Sequence, residues 1–398
     1  MLLGCFSATI LPIFALNLFL VSNTLGNGQL IVSASQWQEQ SGGTTFAGGS
    51  GSGLRLFKTL RLLDRLPEIN TVVLGSSTVM GITQKAFPEK YRIYNFATNG
   101  NPLSTVIGEA DYIQEHFQNI KWFVVPLDWS LGFLYNEYVL SPVDLSLSNT
   151  LRKIKSEDSS IPLSDKIRDA VTYPKIVNLF KIIKSIFLAA NKVEAFRENF
   201  LTAYGNEYAC PDGGIAKDFD PMYRGMCSGF RFDGSATFLN LGRVGENVSA
   251  LVRRSLDANL QYVKSLKRTN GVPNQRLLTR LEGIEKRARQ NGGGVIFIRP
   301  PVLTGFEAEL VRQPQHGAAL ETTRNTLDEW ARQNHLTLID AGQSEWFGCT
   351  PKEFVDAHHA ANTCYVKIFD YHFSEQSDKS ILINAENENM LLAPTENH

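Results

Sequence analysis

Gly75-Ser76-Ser77-Thr78 follows directly on a short β-branched run, Thr71-Val-Val-Leu-Gly75. In a doubly wound sheet, ligands bind outside the carboxyl ends of the strands, so a serine there projects into a crevice. Its own backbone N–H can then face a developing oxyanion. Taken alone, the motif reads more simply as a tight turn at Gly75, with Ser76 or Ser77 capping the next helix. A second segment, Asp356-Ala357-His358-His359, shifts the balance. A nucleophilic serine needs an imidazole to take its proton, and the imidazole needs a carboxylate to fix its tautomer. An aspartate three residues ahead of a histidine supplies both on one turn. The competing readings are a surface histidine pair, or metal ligands shared with Asp370 and His372. No further Cys/His/Asp cluster at ligand spacing supports a metal.

The elements that must hold these residues alternate between strand and helix from Thr71 onward. Thr71–Gly75, Arg92–Phe96 and Lys121–Leu127 read as three strands, with a helix over Ser104–Phe117 whose apolar residues recur at helical spacing. A charged helix over Gln275–Gln290, a strand at Gly294–Ile298, a helix over Ala318–Gln333 and a strand at Leu336–Asp340 complete the pattern. Strands separated by helices imply right-handed crossovers and a parallel sheet covered on both faces. Between the third and fourth strands lies a long insertion, 132–274, expected to be mostly helical. Its first half is richer in basic than acidic residues, which reads as a solvated helical face rather than a groove for an anionic polymer. In its second half, Asp233-Gly234 suggests a hairpin turn. The core is thus expected in two parts, 67–131 and 275–374, followed by a polar tail, 375–398.

Composition bounds the function classes. The chain has 398 residues, 43% hydrophobic and 20% charged, enough for a sizeable core. Its 39 basic and 40 acidic residues leave a formal net charge of −1, so no global field exists to hold nucleic acid. Collagen, coiled coil and multi-span membrane protein are excluded on composition. There is no Gly-x-Ser-x-Gly elbow, no dinucleotide fingerprint, no Walker loop and no His-Glu-x-x-His.

Residues 1–24 carry an uncharged, mostly apolar run from Leu2 to Val21, about 30 Å long as a helix and enough to cross a bilayer core. It reads as a transmembrane anchor or a cleaved signal segment. Residues 25–66 include the Gly/Ser-rich stretch Gly42–Gly53 and read as a flexible tether. Beyond Cys5, the cysteines fall into two close pairs, Cys210 with Cys227 and Cys349 with Cys364. Paired cysteines after an export signal fit two disulfides in an oxidising compartment.

A serine after strand one, with Asp-x-x-His after the last strand, resembles the SGNH (GDSL-like) hydrolase superfamily, with Gly75-Ser76-Ser77 standing where that family has Gly-Asp-Ser. The resemblance covers roughly half the chain, the strands and not the insertion. It implies a three-layer α/β/α flavodoxin-like fold, with Ser77 as nucleophile and His359 and Asp356 completing the triad. It also implies an oxyanion hole made by the N–H groups of Ser77 and Gly100, with Asn99 or Asn101 as side-chain donors. The family's Gly-x-Asn-Asp after strand three is absent, and Pro126-Leu127-Asp128-Trp129 stands there instead. An ionised Asp128 cannot donate a hydrogen bond. Membrane-anchored relatives that acylate cell-wall polymers or exopolysaccharides look similar in this respect. The order of the motifs along the chain favours His359 as the base, with His358 the alternative.

The expectation is therefore a membrane-anchored or secreted enzyme facing the periplasm or cell exterior. It would be a serine esterase or O-acyltransferase acting on O-acyl esters of a carbohydrate, with no cofactor. Its partners would be that substrate, the membrane and a membrane acyl-transfer protein. The rival expectation is a non-catalytic polysaccharide-binding or assembly protein on the same fold.

Overall fold

Runs such as Thr71-Val-Val73 and Phe123-Val-Val125 are apolar on both faces, so they belong inside a parallel sheet with helices on either side. The computed structural model describes residues 11–18, 28–46, 51–127, 146–155, 173–193, 206–211, 213–219, 225–238, 247–257 and 266–374, with a few isolated positions between them. Along the chain its strands are β1 (Thr44–Phe46), β2 (Thr71–Val73), β3 (Ile93–Asn95), β4 (Trp122–Pro126), β5 (Tyr208–Ala209), β6 (Ile215–Asp218), β7 (Gly229–Phe230), β8 (Ala236–Thr237), β9 (Gly294–Arg299) and β10 (Thr337–Asp340). Five of these form the central sheet in the order β10-β9-β4-β2-β3, and every neighbouring pair is parallel. Numbered within the sheet and read from β3, the order is 2-1-3-4-5, a doubly wound order whose switch point lies between β2 and β4.

Helices cover this sheet. Leu103–His116 packs against Gln275–Gln290, where Gln114 donates to the Ile284 carbonyl at 2.9 Å. Pro314–Gln333 lays Trp330 against Phe297 of β9, ring centroids 5.1 Å apart. The architecture is α/β with a parallel main sheet, compatible with three layers.

The tether expected over 25–66 is not what the described residues show. Gly28–Ser41 and Gly51–Arg65 are helices, β1 lies between them, and only residues 47–50 of the Gly/Ser stretch fall outside the description. Leu54, Phe57, Lys58, Arg61 and Leu62 recur at three- and four-residue spacing and are all buried. Two of those core positions are basic. Lys58 donates from Nζ to the carbonyls of Asn95, at 2.7 Å, and Gly234. Arg61 donates to Gln38 Oε1 at 3.1 Å and pairs with Asp64 and Glu39. Burial of a charge is tolerated only with such partners.

The described part of the insertion carries more helix than strand, as expected, and adds strands beyond that expectation. Besides the helices Ser146–Lys155, Tyr173–Leu188 and Val248–Asp257, it supplies β5 to β8, which form a second sheet in the order β5-β6-β1-β7-β8. Because β1 precedes the core in sequence, this sheet ties the insertion to the chain's first third. Asp233-Gly234 does turn a hairpin, joining β7 to β8 with Gly234 at φ +78°.

The apolar run 2–21 is described only over 11–18, which is helical. Among the described residues no helix is long and apolar enough to cross a membrane. The tail 375–398 and residues Asp128 and Trp129 lie outside the described residues.

Candidate active site

The serine turn is built by its neighbours. Gly75 sits at φ +136°, and a Cβ there would lie 2.5 Å from Pro126 Cγ on β4 and 2.7 Å from Val79 Cγ2. Only glycine lets the chain leave β2 so close to its neighbour strand. Ser76 then caps the 3-10 turn Ser77–Val79: its Oγ accepts from the Thr78 amide at 3.3 Å and lies 2.8 Å from Thr78 Oγ1. The two serines thus divide the roles that the sequence leaves open to either. Ser76 is the cap, and Ser77 is free to project. Asn95, buried on β3, donates from Nδ2 to the carbonyls of Val79 and Ile82, both at 2.9 Å, and so fixes the far side of the turn. Tyr365 donates its hydroxyl to the Thr78 carbonyl.

The histidine segment is a narrow loop closed on itself. Phe354 and Ala360 form an antiparallel bridge, Val355 N donates to His359 O at 3.0 Å, and Ala361 N donates to Glu353 O at 2.7 Å. Leu303 N donates to Ala357 O at 2.9 Å, which fastens the loop to the chain beyond β9. The Cys349–Cys364 disulfide, with a Cα–Cα distance of 5.1 Å, ties the start of the segment to the helix Asn362–Phe373. Cys210–Cys227 is the second disulfide. Close approach of loop and serine turn depends on Gly81, where a Cβ would sit 2.4 Å from Ala360 O.

These two segments bring Ser77, His359 and Asp356 into one hydrogen-bonded chain. Ser77 Oγ lies 2.8 Å from His359 Nε2, and His359 Nδ1 lies 2.6 Å from Asp356 Oδ2. The other carboxylate oxygen accepts from the amides of His358, at 2.9 Å, and His359, at 3.0 Å. Burial pushes the Asp356 carboxyl up, but the hydrogen bond with the His359 ring, the electrostatic pull of the two adjacent imidazoles and the His358 amide outweigh it and hold the group well below the usual carboxylate range. An ionised Asp356 can only accept, so His359 carries its proton on Nδ1 and presents the Nε2 lone pair to the serine hydroxyl. It is His359, not His358, whose ring meets Ser77. His358 stands beside it, ring centroids 4.2 Å apart, with Nδ1 3.6 Å from Asp356 Oδ1.

The loop after β3 runs beside the serine turn, since Phe96 N donates to Val73 O at 2.8 Å and Thr98 N to Gly75 O at 3.0 Å. Gly100 and Asn99 are exposed on that loop, and Gly100 adopts φ +65° with open space around a would-be Cβ. Asn101 is buried, and its amide donates to Glu109 Oε2 at 3.1 Å, while Glu109 pairs with Arg55. That bond holds one hydrogen of the Asn101 amide within the fold, while Asn99 stands exposed on the loop. From the insertion, the hairpin leading to Phe238 docks through Ala236 N on Met80 O at 2.7 Å, and the Phe238 ring lies 6.3 Å from that of His359.

Sequence reasoning passes over Asn95, Gly81, Tyr365 and Phe238. Asn95 is the one that could have been found: a lone amide within an otherwise apolar strand must have partners. Asp356, His358 and His359 also offer ligand atoms within 4.8 Å of one another, enough for a metal ion to be considered. Binding through His359 Nδ1 would cost the 2.6 Å hydrogen bond to Asp356, so the donor set fits proton transfer better than coordination. Asp370 and His372 are not in that group. No family model matches this chain, and neither a curated protein nor a solved structure is found to be similar to it.

Proposed function

We propose that the chain is a serine esterase or O-acyltransferase of the SGNH type, acting on O-acyl esters of an extracytoplasmic carbohydrate. One observation carries the reading: Ser77 Oγ, His359 Nε2–Nδ1 and Asp356 Oδ2 are linked at 2.8 and 2.6 Å, at the carboxyl end of β2 beside the sheet's switch point. The strand order, which is also that of flavodoxin-like folds, supports the SGNH assignment.

In this reading Ser77 attacks the ester carbonyl while His359 takes its proton. The tetrahedral oxyanion is met by the amides of Ser77 and Gly100, with Asn99 as side-chain donor. His359 returns the proton to the departing alcohol, and Asp356 stabilises the imidazolium meanwhile. The acyl group then passes from Ser77 to water or to a sugar hydroxyl. No cofactor takes part. The two disulfides and the apolar run 2–21 support a location on the outer side of a membrane.

The test is release or transfer of acetate from an O-acetylated polysaccharide by the purified chain. Turnover in the wild type and none in Ser77→Ala is the expected result. Binding of the polysaccharide without turnover in the wild type would favour a non-catalytic assembly protein instead.

A further inference from the structure

The helix Tyr173–Leu188, in the insertion, has two apolar strips, and among the described residues one of them is packed against another part of the chain. Leu179 is fully buried, with Ile183 and Ile186 beside it, and the residues packed on this group are Ile13 and Leu16 of the N-terminal apolar run. Turning about the helix axis, the next strip holds Phe180 and Phe187, seven residues and two turns apart, which are 52% and 71% exposed. Leu188 is 75% exposed, and Val193 just beyond the helix is exposed as well. Single exposed apolar residues are ordinary, whereas a contiguous group of this size marks a contact surface.

Charge tells what the surface meets. From 173 to 193 the sequence contains lysines and no acidic residue, in a chain whose formal net charge is −1. Lys181 and Lys184 are exposed, Lys184 on the flank of the Phe180–Phe187 strip and Lys181 further round the polar side, and Lys192 follows the helix. Large apolar side chains bordered by lysines form the pattern of a helix lying in a membrane interface, with its rings below the headgroups and its ammonium groups among the phosphates. Length agrees: 16 residues reach about 24 Å, short of a bilayer core. The helix also packs on the very segment whose composition fits a bilayer.

We propose that Tyr173–Leu188 is an interfacial helix that lays its Phe180–Phe187 strip into an anionic lipid surface beside the N-terminal apolar run. The helix thereby gives the protein a second hold on the membrane and limits its tilt relative to it. This inference rests on the membrane location proposed above and is independent of the serine chemistry.

The experiment places a photo-reactive p-benzoylphenylalanine at Phe187 of the full chain, and in a second variant at exposed Val272. Both are reconstituted in vesicles of phosphatidylcholine and phosphatidylglycerol and illuminated. The expected result is a lipid adduct from position 187 and none from 272. Changing Lys181→Gln with Lys184→Gln should lower the adduct yield several-fold in those vesicles and leave it unchanged in pure phosphatidylcholine. A crosslink from 187 to a second copy of the chain would overturn the proposal and make the strip a protein interface. Equal lipid adducts from 187 and 272, no adduct from 187, or a yield indifferent to the lysines would each overturn it too.

Discussion

Gly81→Ala perturbs the contact on which the meeting of serine and histidine depends, without touching either residue. The added Cβ would lie 2.4 Å from the Ala360 carbonyl oxygen and 3.0 Å from Tyr365 Cδ2. Ordinary contact begins near 3.4 Å, so loop and turn must part by about 1 Å. The obstacle is backbone, adjacent to His359, and cannot swing away as a side-chain tip would. Such over-packing costs about 1–3 kcal/mol of stability. A displacement of about 1 Å in a catalytic pair costs on the order of 10²-fold in rate, equivalent to about 2.7 kcal/mol of barrier. The assay is kcat/KM on an aryl acetate ester, well below the melting temperature, with folding checked by circular dichroism. Gly283→Ala is the control, because a Cβ there meets only the Arg287 guanidinium at 3.6 Å in a helix interior. It should stabilise by roughly 0.5–1 kcal/mol and leave the rate unchanged. A folded Gly81→Ala protein with wild-type kcat/KM would refute the reasoning that this close approach sets the Ser77–His359 distance.

Two further outcomes follow from buried groups. Burial pushes the Lys58 ammonium down to about 7, against a raising effect of Asp233 and a further lowering effect of Arg55. The unfolded lysine titrates near 10.5, so between those pH values the unfolded chain holds the extra proton and stability rises with pH. Urea unfolding of the wild type and Lys58→Met should diverge over that window, the wild type gaining as pH rises; parallel curves would count against a neutralised Lys58. Removing the Cys349–Cys364 bridge as Cys349→Ala with Cys364→Ala frees a 15-residue separation and should lower stability by about 3 kcal/mol. Because the bridge staples the His359 loop locally, ester turnover at 25 °C should fall while the circular dichroism of the core is kept; full turnover would show that the loop holds itself.

The five core strands and their helices are legible in the sequence because each is a local pattern. A β-branched run such as Val72-Val73 or Val295-Ile296 is buried on both faces whatever surrounds it. The triad segments are legible for a similar reason, since Asp356 and His359 lie three residues apart and Ser77 ends a strand. What escapes is set by distant partners. Lys58 and Arg61 look like surface charges until Asn95, Gly234 and Gln38 are brought to them. The Gly/Ser stretch Gly42–Gly53 hides the start of the helix Gly51–Arg65, because glycine density masks the apolar spacing that begins at Leu54. Gly81 carries no local signature, and its need for a bare Cα appears only when Ala360 arrives from the far end of the chain. Asn99 and Asn101 are likewise indistinguishable in sequence, and only the Glu109 contact separates them.

The central claim is that Ser77 is a nucleophile activated by His359. It is tested most directly by treating the full chain with a fluorophosphonate and mapping the adduct by mass spectrometry. The account predicts a single adduct on Ser77 in the wild type, retained in His358→Ala and lost in His359→Ala. An unlabelled wild type would contradict it. Labelling that survives His359→Ala and disappears in His358→Ala would contradict the assignment of the base.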